Sequence, residues 1–205
     1  MVSSDSSRAG ALTLVGGELA LDFANTCSAR GFPTQQDHLQ SPEHVLQWAA
    51  HAKVLSQADA QGLAETLAPA LGQRLLAEAL TLREDVYLLG AAIAAGRPAP
   101  QAAIAGLAGA HAHALARAAL TAIGANFGWV WPVREAPVEA ILGPISLSAL
   151  TLLQQADLSR VKQCQGEKCG WLFFDSAKNK SRRWCEMEIC GNRAKQRRFS
   201  KTHAR

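Results

Sequence analysis

Cys164 and Cys169 are followed, after a gap of fifteen residues, by Cys185 and Cys190, so the chain carries the pattern C-x4-C-x15-C-x4-C. Four thiolates in two close pairs form the closed tetrahedral set that structural zinc prefers, and soft sulfur disfavours magnesium, calcium and manganese. A catalytic zinc keeps a position open for water, so four protein ligands point to scaffolding and not to hydrolysis. Two disulfides would use the same residues, but residues 1 to 10, MVSSDSSRAG, lack the apolar core of a secretory leader. The expected compartment is the cytoplasm, where thiols stay reduced and open to metal. Cys27 is left over and reads as a small buried hydrophobe, with a reactive thiol as its other use.

The second chemical signal is charge. The chain is +4 overall, yet residues 160 to 205 hold thirteen Lys or Arg against four acids, +9, while residues 1 to 159 stand at −5. Four thiolates with one divalent cation contribute −2, which leaves the carboxyl-terminal part near +7 and suited to polyanions. A solvated charged face is the alternative use of such a run. Asn192, Arg193, Lys195, Gln196, Arg197, Arg198 and Lys201 follow the last cysteine in a stretch of helix formers, with Arg182 and Arg183 just before the third. On a helix the cations span an arc of about 200°, with Ile189 and Phe199 towards the opposite side to pack. Cations meeting phosphate would supply affinity, and Asn192, Gln196 and the exposed arginines are the only candidates to read bases.

The run CGWLFFDSAKNKSRRWCEMEICGNRAKQRR resembles the CGNR zinc finger, named for the tetrapeptide that stands here as Cys190-Gly191-Asn192-Arg193. Upstream, Gly17-Glu18-Leu19-Ala20-Leu21-Asp22-Phe23-Ala24-Asn25-Thr26 is similar to the opening of the ABATE domain that precedes CGNR fingers in bacterial transcription regulators. Ala177 departs from the family, where a hydroxyl residue is expected in the finger's turn. The resemblance implies a treble-clef finger and a regulator that binds double-stranded DNA, without enzymatic activity. A finger used only to dock a protein partner is the competing expectation. RNA stacking on Trp171, Phe173 or Phe174 is a weaker one, because alternate hairpin residues must also cover the metal core.

These residues need elements to hold them. Trp171 to Phe174 and Arg182 to Trp184 suggest a short hairpin between the cysteine pairs, with a helix starting near the second pair. Upstream, Leu12 to Val15 and Leu19 to Phe23 flank Gly16-Gly17 and read as two short strands or one bent strand. Asp22, Asn25, Thr26 and Arg30 are polar in an apolar segment, where they either line a ligand pocket or serve turns and caps. Ser41-Pro42-Glu43 opens a helix with an N-cap, Pro at the first position and an acid in the first turn. A second helix fits residues 57 to 67. Leu71, Leu75, Ala79, Leu82, Val86, Leu89 and Ile93 make a third, the central core helix. A fourth runs from Pro100 to about Leu120, and His111 and His113, two apart, would sit on different faces of it, a poor metal pair. Phe127 to Val133 and Val138 to Leu142 are predicted to form a hairpin that sets Trp129 and Trp131 on one face, before a last helix over Pro144 to Asp157.

The expected fold is therefore α+β: a mostly helical amino-terminal domain with a small antiparallel sheet over residues 1–159, then a treble-clef zinc finger over 160–205. No flexible linker separates them. One structural zinc is the expected cofactor and duplex DNA the expected partner. A small-molecule effector of the amino-terminal domain and a homodimer are compatible with this reading, and a membrane is not expected, since no run of eighteen uncharged apolar residues occurs.

Overall fold

The computed structural model describes residues 7–203, with the side chains of Arg198 and of residues 201–203 outside that description. The amino-terminal part is helical: α1 (Leu19–Ala24), α2 (Pro42–His51), α3 (Gln57–Thr66), α4 (Pro69–Ala94), α5 (Gln101–Leu115) and α6 (Pro137–Gln155). Three two-stranded antiparallel sheets accompany them: β1 (Cys27–Ser28) with β2 (Gln36–Asp37), β3 (Ala119–Ile123) with β4 (Asn126–Val130), and β5 (Val161–Gln163) with β6 (Leu172–Phe174). The chain ends in α7 (Asn192–His203).

The long helix α4 is the spine. Its Leu75, Ala79, Leu82, Val86 and Leu89 are buried at steps of three and four, the spacing that keeps one face of a helix inward. Around it pack Leu21 and Phe23 of α1, Val45 and Trp48 of α2, and Ile141 and Ile145 of α6. Ser41 caps α2 by accepting from the His44 backbone N–H, and Ser56 caps α3 by accepting from Asp59, as their positions ahead of apolar runs require. Helix α6 is long and apolar enough to span a membrane by length and composition, but 61% of that window is buried inside the fold, as befits a core helix.

Three sequence expectations need correction. Leu19–Ala24 is a helix and not a strand: Ala20, Leu21, Phe23 and Ala24 are all buried, and a short run that is apolar on every side carries no period to separate strand from helix. The fourth helix ends at Leu115, and the hairpin lies further upstream than its turn residues suggest, over β3 and β4. The segment from Val138 to Leu142 belongs to α6, which starts with Pro137 at its first turn and carries Pro144 inside it. The reason is packing. Trp131 is buried past the end of β4, donates its indole N–H to the Ala114 carbonyl at 2.7 Å, and lies against Gly143, where a Cβ would come within 2.4 Å of its ring. Trp129 stays on the hairpin and is 39% exposed, so the two tryptophans do not share a face.

The third correction concerns the finger. Phe174 pairs with Val161 and Leu172 with Gln163, so the hairpin's turn is the first cysteine pair itself, and residues 182–184 are not a strand. Val161 and Leu172 belong to the same hydrophobic core as Leu21 and Leu89. At Gly90 of α4 an added Cβ would approach Leu172 Cδ1 to 2.6 Å, so glycine is what allows β6 to seat there. The expected division after residue 159 is thus crossed by continuous apolar packing.

Candidate metal centre and nucleic-acid interface

The hairpin delivers Cys164 at the end of β5, and a tight turn returns Cys169 beside it. Lys168 in that turn has φ 60°, and the Cys169 N–H donates to the Gly166 carbonyl at 3.1 Å. At Gly166 an added Cβ would sit 3.0 Å from Cys190 Sγ and 3.3 Å from Cys164 Sγ, so only glycine lets the backbone pass this close to the sulfurs. The second pair uses a different device. Residues Met187–Gly191 form a π-turn in which both Cys190 and Gly191 donate to the Glu186 carbonyl. The widened turn absorbs a four-residue spacer where two is commoner, and it presents Cys190 at the root of α7.

The four Sγ atoms all lie within 4.8 Å of one another, with Cys169 to Cys185 at 3.6 Å and Cys185 to Cys190 at 3.7 Å. A tetrahedron with Zn–S bonds of about 2.3 Å has edges of about 3.8 Å, so the donor set fits one zinc ion. The Cys185 and Gly166 backbone N–H groups donate to Cys164 Sγ at 3.2 and 3.4 Å, as suits a sulfur carrying negative charge. Hydrogen bonds from the neighbouring thiols and these N–H groups hold Cys164 to about 2. The thiolate next to them pushes Cys169 up to about 12 and Cys185 upward as well, while Cys190 is raised by burial first. Four sulfurs this close cannot all ionise alone, and a divalent cation is the charge that lets them.

Around the sulfurs a polar frame holds the rest of the finger. Asp175 is fully buried and accepts from the Ala177 and Arg182 backbone N–H groups at 3.0 and 2.9 Å and from Lys162 Nζ at 2.7 Å. Burial alone would raise its carboxyl, but Lys162 and the two N–H groups outweigh burial and hold it below the ordinary value. This carboxylate orders the turn at Ala177 in place of the hydroxyl residue expected there. Asp175, Lys162 and Gly166 were not singled out from the sequence. Of the three, Gly166 alone had a local signal, a glycine inside a metal-binding turn.

The candidate DNA-contacting residues divide. Arg182 is turned inward: its guanidinium lies 4.3 Å from the Phe173 ring centre and donates to the carbonyls of Trp184, Val15 and Cys185. It is spent on the fold because its backbone sits on Asp175, and this removes it from the phosphate-facing set. Arg183 is exposed and donates to Gln165 Oε1 at 2.8 Å. On α7, Asn192, Arg193, Lys195, Gln196 and Arg197 are exposed, and Arg197 pairs with Glu167 of the first cysteine turn. Arg198 and Lys201 continue the same helix, with side chains outside the described residues. On the predicted packing side of this helix Ile189 is 43% and Phe199 66% exposed. A cleft of about 490 Å3 between the root of α7 and the β1–β2 turn extends the basic surface through Arg8, Lys168, Arg193 and Arg197, against Glu167 and Glu186.

Each of the four amino-terminal candidates is engaged by the surrounding fold. Asn25 is buried, and its side-chain amide donates to the Leu172 carbonyl and accepts the Leu172 N–H, both at 2.8 Å, standing in for a strand beside β6. Thr26 Oγ1 donates to the Phe23 carbonyl at 2.8 Å, closing the end of α1. Arg30 bonds Glu84 at 2.5 Å and lies over the Tyr87 ring at 4.0 Å. Asp22 accepts the Gly16 N–H at 2.7 Å, and burial pushes its carboxyl up to about 6 in spite of that bond and of Arg182 nearby. Trp171 and Phe174 likewise pack against the core, and Phe173 is fully buried.

A helical domain whose core runs on into a four-cysteine finger defines this molecule as a zinc-finger protein. Residues 17–156 match the ABATE family, described as "Putative stress-induced transcription regulator", and residues 160–203 match the CGNR zinc finger. The chain belongs to the ABATE family and carries the CGNR finger at its carboxyl-terminal end. A search of curated proteins found no match.

Proposed function

We propose that this chain is a cytoplasmic, DNA-binding transcription regulator whose zinc-loaded finger, residues 160–205, lays α7 against duplex phosphates. Arg183, Arg193, Lys195, Arg197, Arg198 and Lys201 supply the contacts, and Asn192 and Gln196 are the nearest candidates for base edges. The observation that carries this reading is the run of exposed cations on a helix rooted directly on the metal centre, where Arg193 and Lys195 make no ion pair among the described residues. Zinc serves as scaffold, and sequence preference beyond what one small helix can read would come from a homodimer.

Fluorescence anisotropy on a labelled duplex across a salt series tests it. With about five phosphates neutralised, log K should fall against log salt with a slope of about −4 to −5, and replacing Arg197 and Arg198 with Ala should flatten that slope by about 1 to 2 with zinc content unchanged. Equal low-salt affinity of wild type and a variant neutralised at Arg193, Arg197, Arg198 and Lys201 removes the DNA reading. A second reading, docking to a protein, is favoured by the exposure of Met187 (45%) and Ile189 (43%) beside the metal centre. Binding to a protein that survives saturating duplex DNA distinguishes it.

A further inference from the structure

Helices α4, α5 and α6 line an open cavity of about 630 Å3. It exists because α5 offers mostly small side chains on this side, among them Ala105, Gly106 and Gly109, while Leu82, Val138 and Leu142 close the opposite walls. The volume falls in the range of small-molecule sites, about 300–1,000 Å3.

The polar groups at its rim are unbalanced. At one end Arg74 is the only guanidinium, and it is already committed: it donates to Glu78 Oε1 at 2.7 Å and to Glu139 Oε1 at 2.6 Å, with His113 Nε2 at 3.0 Å. At the other end Asp85, half-buried, has neither ion pair nor hydrogen bond among the described residues. Its Oδ2 reaches across to α5 and fills the place that a Cβ on Gly106 would take, 2.1 Å away. Burial first, then the charge of Glu84, push this carboxyl above its ordinary value, as expected of a partly desolvated anion without a counter-charge. An acidic ligand would add a fourth carboxylate to this wall, and a neutral one would leave Asp85 uncompensated.

We propose that this cavity binds a small organic ammonium with an apolar body, the ammonium paired with Asp85 and the body against Leu82, Val138 and Leu142. The assignment gives the amino-terminal domain a ligand chemistry and stands whether or not the finger binds DNA.

Isothermal titration of the zinc-loaded full chain, without DNA, tests it with two probes, phenethylammonium and n-hexylammonium, against 3-phenylpropanoate as an acid of similar body. Saturable one-to-one binding of at least one ammonium, with a dissociation constant below about 1 mM, is expected, and none of the acid. Asp85→Asn should weaken binding by about tenfold or more, because the counter-charge is lost. Gly109→Leu should abolish it: Gly109 lines the cavity, a Cβ there meets nothing within 4 Å, so the bulkier side chain has room to start over the site, and leucine suits a helix better than glycine. Both variants should keep the wild-type circular dichroism. Failure of both ammonium probes to bind, binding of the acid as strong as theirs, or undiminished binding to either variant overturns the proposal.

Discussion

At the residue scale, the polar groups that stand out in the sequence have been sorted by what each can reach. Cys164, Cys169, Cys185 and Cys190 converge because backbone turns at Gly166 and at Met187–Gly191 bring them together, and their chemistry could be read from spacing alone. Arg182 and Arg193 look alike in the sequence, yet one guanidinium is spent on three carbonyls and an aromatic ring and the other is open to solvent. Asp22 carries the clearest electrostatic consequence. Its folded carboxyl at about 6 stands above the ordinary 3.8, so the folded state holds this proton more tightly than the unfolded chain. The stability contributed by protonation is therefore full below about 4 and is lost as pH rises to about 6, with no further change above. An asparagine keeps an oxygen for the Gly16 N–H but does not titrate. Asp22→Asn should accordingly gain on wild type as pH rises from about 4 to 6, then hold a constant difference. Urea unfolding of both proteins across that range checks the sign, and a difference that is flat or runs the other way rejects the assignment.

At the element scale, the hairpin β5–β6 is the joint of the molecule. Its backbone is completed on one side by Asn25 and by Phe174 N–H to the Gly16 carbonyl at 2.7 Å, and its apolar face is seated against α4 at Gly90. Asn25→Ala leaves the buried Leu172 N–H and carbonyl without partners, and each such group costs about 1–3 kcal/mol. The expected loss is about 2–4 kcal/mol, with both parts of the chain affected in one transition. Denaturant unfolding followed by far-ultraviolet dichroism and by tryptophan fluorescence checks this, and a loss confined to the finger would contradict the role given to Asn25. The helices of the amino-terminal part were legible wherever caps and period agreed, as at Ser41 and along α4. They were not legible where a segment is buried on all sides, as in α1, or where a fitting pattern of turn residues marked the wrong hairpin, as ahead of α6. Trp131 on Gly143 decides that second case, a contact between residues with no local relation.

At the scale of the whole molecule, zinc and the apolar core hold different parts of the finger. Residues 164–191 form the metal centre and carry α7, whereas Val161 and Leu172 belong to the core of the helical domain. Metal removal should therefore release 175–203 while β5 and β6 keep their protection. Elemental analysis should give about one zinc per chain, and hydrogen exchange before and after chelation should show loss of protection in α7 but not in α1, α4 or the hairpin. Equal loss in the hairpin and α7 would mean that zinc, and not apolar packing, seats the finger. The sequence by itself determined the metal, its four ligands, the helical character of the amino-terminal part and the basic carboxyl-terminal helix, because each is written in spacing or composition within a few dozen residues. Only the tertiary structure decided that Asn25 is a strand partner and not a pocket residue, that Arg182 faces inward, and that a cavity lies between α4, α5 and α6. Those outcomes depend on contacts between residues far apart in the chain, such as Asn25 with Leu172 and Asp85 with Gly106, and no local pattern encodes which distant backbone a side chain will meet.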